Sequence, residues 1–100
     1  MIIERSTVSR KTPLDGKLEI SAATAAKLQT LGASFPLRTA GGEGRARLHE
    51  MSCTCTKAGA SGQHLHHFLE SDALRSLEPG TDVRVELEDD RPGSLSIEPA

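Results

Sequence analysis

Tryptophan and tyrosine are missing from this chain of 100 residues, and phenylalanine occurs only twice, at Phe35 and Phe68. A core must therefore be assembled from Leu, Ile, Val and Ala, with Met51 as a further filler, and little apolar material remains to line a large buried active-site cavity. No stretch approaches the roughly 18 consecutive apolar residues of a membrane-spanning helix, so no membrane association is expected. The opening residues Met1-Ile-Ile-Glu-Arg-Ser6 meet charge too early to form a secretory leader. The expectation is a cytoplasmic protein. Cysteine is nearly absent too: Cys53 and Cys55 are the whole complement, and their C-x-C spacing would close a small strained ring if oxidised. Reduced thiols are the expectation.

Charge is present in both signs but is divided unevenly. Residues 1–48 carry eight Lys/Arg against four Asp/Glu, and residues 49–100 carry four against ten. The split permits a basic and an acidic face if the halves separate in space.

The pattern along the chain is mainly that of short strands. Ile2 to Val8 suits a first strand, and Lys11 to Gly16, with Pro13 and Asp15-Gly16, reads as a turn. Lys17 to Ile20 alternates polar and apolar residues. Ser21 is placed to cap a helix over Ala22–Leu31, which Gly32 stops. Ser34 to Arg38 reads as a strand that Pro36 assigns to a sheet edge, because proline lacks a ladder donor. Gly41 to Gly44 reads as a flexible loop, Arg45 to Lys57 as a long strand, residues 58–62 as a hairpin loop, and Gln63 to Glu70 as the returning strand. Ser71 caps a second short helix ended by Pro79-Gly80. Val83, Val85 and Leu87 alternate with charged residues in the clearest strand, and Ser94 to Glu98 closes the chain.

Two segments repeat one plan of strand, serine cap, short helix, glycine and strand: Leu18-Glu-Ile-Ser21 with Leu28 and Leu31, and Phe68-Leu-Glu-Ser71 with Leu74 and Leu77. Each pair of leucines would plug one end of a single small barrel occupying residues 1–100. The expected fold is therefore mainly β, a seven-stranded barrel or pseudobarrel with two short helices. This plan resembles the DNA-binding pseudobarrel of plant transcription factors and restriction-endonuclease effector domains. The segment from His67 to Leu87 is similar to that family's closing unit, although the Trp before its Phe is absent and the turn Gly80-Thr81-Asp82 is one residue longer. The resemblance implies a non-catalytic module whose loops and strand ends enter a DNA major groove. The cations near the glycine stretch and central hairpin, Arg38, Arg45, Arg47 and Lys57, are the candidates for neutralising phosphates. Against strong non-specific binding stands the acidic run Glu86-Leu-Glu-Asp-Asp90.

The thiols and imidazoles form a second candidate site. Cys53 and Cys55, like His64 and His66, are two residues apart, which places each pair on one face of its strand. With Cys55 opposite His64, Cys53 would stand opposite His66, giving a two-Cys, two-His set suited to zinc. The alternative is two small hydrophobes beside Met51 and a polar histidine face. His64-x-His66 followed by Glu70 also resembles the first metal motif of cupin barrels, but no His follows His67 to complete that set. A Cys–His nucleophile would need an orienting group and an oxyanion site that nothing in the sequence identifies, and no Gly-Lys-Ser/Thr follows Gly44 to make a phosphate loop. No residue is assigned a catalytic role. The expected function is nucleic-acid binding, with DNA first. The alternatives are a zinc-binding protein or small metalloenzyme, and an adaptor that pairs with a protein, or with itself, through an open sheet edge such as that at Leu37.

Overall fold

The computed structural model describes residues 1–53 and 64–100. Seven strands form one sheet: β1 (Ile2–Thr7), β2 (Lys17–Ile20), β3 (Phe35–Thr39), β4 (Gly42–Cys53), β5 (His64–Glu70), β6 (Asp82–Leu87) and β7 (Leu95–Pro99). Their order is β1-β6-β7-β3-β4-β5-β2, and all neighbours are antiparallel except β3 and β7. The sheet curls into a nearly closed barrel with β1 and β2 flanking the seam.

Alternation drives the closure. Leu18 and Ile20 of β2, Leu69 of β5, Ala46 of β4, Phe35 and Leu37 of β3, Leu95 and Ile97 of β7, and Val83 and Val85 of β6 are all buried in one core. Register aligns them in rows across the sheet: Leu18, Leu69 and Leu48 stand side by side, as do Phe35 and Ala46, and Val85 and Ile97. Burying each large aliphatic side chain contributes about 1.5–3 kcal/mol before the entropy of ordering is set against it.

Both barrel ends are plugged as the repeat implies. Ser21 accepts from the Thr24 amide and starts helix α2 (Ala22–Leu28), which continues as a 3₁₀ turn to Leu31 before Gly32. Leu28 is buried and Leu31 partly so. At the opposite end, where β5 finishes, Ser71 accepts from the Ala73 amide and starts a 3₁₀ helix (Asp72–Ser76) that buries Leu74.

Several expectations are corrected. Lys11–Asp15 is a short α-helix, α1, because Pro13 suits a first helical turn and Gly16, at φ 67°, ends it by donating to the Thr12 carbonyl. It packs beside the 3₁₀ helix, and the Gly16 carbonyl accepts from the Ser71 amide. Pro36 is not on an edge strand: β3 lies between β7 and β4. The β7 ladder engages only Leu37 and Arg38, so Pro36 falls beyond its end. Leu37, 1% exposed, offers no open edge. The glycine stretch is strand from Gly42 onward rather than a loop. Its small residues make room for the 3₁₀ helix, since a Cβ on Gly44 would lie 3.3 Å from that of Ala73, and one on Gly41 only 2.5 Å from Ser76 Oγ.

The unpaired edges β1 and β2 are tied by side chains instead of a ladder. Glu4 Oε1 accepts from both the amide and the hydroxyl of Ser21, at 2.9 and 3.0 Å, and the Thr24 hydroxyl donates to the Ile3 carbonyl. No helix among the described residues is long and apolar enough to cross a membrane.

Candidate functional site

Strands β4, β5 and β2 turn their second face outward. Leu69 is buried, so its neighbours Phe68 and Glu70 point to the other side of β5. Register then builds rows on the outside: Lys17, Glu70 and Arg47 in one, Glu19, Phe68 and His49 in the next, and Met51 opposite His66 beyond them. Beyond Ile20, β2 has ended, and β4 and β5 continue as a two-stranded ribbon.

In the first row one carboxylate holds two cations. Glu70 accepts from Arg47 Nε and lies 3.8 Å from Lys17 Nζ. The hydrogen bond from Arg47 holds its carboxyl below the usual glutamate value; desolvation opposes this, and the charges of Arg47, Lys17 and His49 reinforce it. The Phe68 ring neighbours two imidazoles, His49 across its own row and His66 in the next row along β5. Its centroid lies 6.4 Å from that of His49 and 6.3 Å from that of His66, with the planes tilted by 45° and 30°. His66 Nδ1 is 2.8 Å from Glu19 Oε2, which anchors that ring.

The rows border a groove of about 790 Å³ at the seam. Glu4, Ser6 and Thr7 of β1, Thr12 and Asp15 of the Lys11–Asp15 helix, and Lys17 to Ser21 line it together with Met51, His66 and Phe68. The lining combines hydroxyls, carboxylates and two lysines, Lys11 and Lys17, with the exposed thioether of Met51 and the ring of Phe68.

The sequence candidates are distributed as follows. Arg45 and Arg47 share the outer face of β4 and are exposed; Arg45 donates to Ser34 Oγ at 2.7 Å. Arg38 is set apart, with Nη2 3.2 Å from the buried carboxylate of Glu88. Lys57 and Cys55, like the hairpin loop at 58–62, lie outside the described residues. The expected thiol–imidazole register is corrected: Cys53 stands opposite His64, and His66 opposite Met51. The offset of two residues keeps every residue on its face, so alternation alone does not distinguish the two registers. Among the described residues, no group of three or more His, Cys, Asp or Glu is arranged to hold a metal ion.

Phe68, His49, Glu19 and Lys17 were not among the sequence candidates for a site. The available signal was Phe68 itself, one of two aromatic residues and adjacent in sequence to a core leucine. No family model, curated protein or solved structure matches the chain.

Proposed function

We propose that this protein is a small non-catalytic module that binds nucleic acid, with DNA the first choice, across the outer face of β4, β5 and β2. The observation that carries the reading is the alignment of Arg45, Arg47 and Lys17 at one end of that face, beside the Phe68 and histidine rings. Cations of this kind contact phosphates, while rings and hydroxyls contact bases. Arg45 has no carboxylate partner among the described residues, and Arg47 is exposed. The ribbon beyond Ile20 adds a shape that a major groove admits. The order of elements, with a plug at each barrel end, supports the likeness to the DNA-binding pseudobarrel. A cytoplasmic setting belongs to the proposal.

The test is binding of fluorescein-labelled DNA followed by anisotropy over a salt series. Affinity should fall linearly with salt on a double-logarithmic plot, and Arg45→Ala/Arg47→Ala should weaken binding and flatten the slope by about two phosphate contacts. Absence of binding at about 50 mM salt would remove the reading.

A metal-binding reading has one observation of its own, the Cα register that pairs Cys53 with His64, two residues before His66. Zinc bound to protein purified without a histidine tag would support it. Metal-free protein whose melting is insensitive to added zinc and to chelators would remove it.

A further inference from the structure

We infer that the nucleic acid recognised on this face is single-stranded, with an unpaired base stacked on Phe68 beside His49 and His66. This rests on the nucleic-acid reading above and specifies its ligand.

The two phenylalanines have opposite placements. Phe35 is 1% exposed in the core, whereas Phe68 is on the outer face and lines the seam groove. A chain with so few aromatic residues places one where it contributes little to the core, flanked by imidazoles on the neighbouring strand and two residues earlier on its own. Aromatic side chains on a sheet surface, beside cations that follow a phosphate backbone, provide the stacking platforms used for single strands. Here the cations are one and two rows away along β4: Arg47 is two residues from His49, and Arg45 two further, at about 7 Å per step. Lys17 flanks Arg47 across Glu70.

The seam groove supplies what a base edge needs. Glu19, with one oxygen beside His66, borders it as an acceptor for the N–H groups of a base edge, such as N3–H of thymine, and Ser6 offers a hydroxyl. Its carboxylates, Glu4, Asp15 and Glu19, would repel a phosphate but tolerate a neutral base. Charge therefore separates the footprint into a phosphate track over Arg45, Arg47 and Lys17 and a base position at Phe68 and the groove. Paired bases in a duplex offer only their edges, leaving the Phe68 ring without a stacking partner. The inference thus departs from the duplex major groove that the pseudobarrel resemblance implies.

The experiment compares three fluorescein-labelled ligands at about 50 mM salt: a thymidine oligomer of roughly 12 nucleotides, an abasic oligomer of equal phosphate count, and a duplex of the same length. The thymidine oligomer should bind at least about tenfold more tightly than either of the others. Phe68→Leu should reduce it to the abasic affinity, whereas Phe68→Trp should keep the preference, and the fluorescence of this sole tryptophan should be quenched on binding. Equal affinity for thymidine and abasic oligomers, or tighter duplex binding, would overturn the inference while leaving nucleic-acid binding in place. Failure to bind all three would overturn both. If Phe68→Leu does not fold, the abasic comparison and the quenching of Phe68→Trp still decide the matter.

Discussion

The inner and outer faces of β5 differ by one residue in sequence and by their whole chemistry in space. Leu69 faces inward, is fully buried, and aligns with Leu18 and Leu48; Phe68 faces outward among His49, His66 and Glu19. Around Leu69 the inner face is mainly apolar and packed by rows, with His67 on the same side of β5 beside Ile20. The outer face is graded, from cations at Lys17 and Arg47 through rings to the thioether of Met51. Burial thus accounts for the inner residues, while the proposed ligand would account for the outer arrangement.

The sharpest test of this contrast uses the two phenylalanines. Phe35→Ala should lower unfolding free energy by about 3–5 kcal/mol in urea titrations, whereas Phe68→Leu should cost less than about 1.5 kcal/mol. Similar large losses at both positions would make Phe68 a structural residue and blur the two faces. A smaller effect is expected at the seam. Ser21→Ala removes the α2 cap and the hydroxyl's bond to Glu4 while keeping the amide's, and should cost about 1–2 kcal/mol. A double-mutant cycle with Glu4→Ala would show whether the seam bonds couple the two edges, as their shared geometry requires.

The smallest effect concerns acid. Glu70 has a folded pKa below its usual value of 4.5 because it accepts a hydrogen bond from Arg47. Its contribution is present above the unfolded value and is lost as pH falls through the lower, folded value. Glu70→Gln should therefore cost under about 1 kcal/mol near neutral pH and should flatten the decline in stability just below pH 4.5. An unchanged acid limb would show that the Lys17–Glu70–Arg47 row is not coupled to folding.

Much of the frame was legible where one local rule governs. Lys17 to Ile20 has the bounds that its alternation indicates, and both serine caps form. What escaped depends on contacts distant in sequence. A five-residue helix and a turn share the same Pro, Asp and Gly signals, and the packing of Lys11–Asp15 against the 3₁₀ helix distinguishes them. Pro36 reads as an edge residue until β7 is found to pair only with the residues after it. The register of β4 and β5 escaped because a slip of two residues leaves every side chain on its face. Of the candidate site, Arg45 and Arg47 could be placed together from their spacing, but the platform could not. Its members come from three strands, β2, β4 and β5, whose alignment appears only in the folded sheet.

The central claim is that ligand binding belongs to the outer face. Backbone amide NMR shifts recorded during titration with the thymidine oligomer test it most directly. The account predicts that saturable perturbations concentrate at Lys17, Glu19, Arg45, Arg47, His49, His66 and Phe68 and leave the β6–β7 strands unmoved. Saturable changes centred on β6 and β7, with the Phe68 row silent, would contradict it.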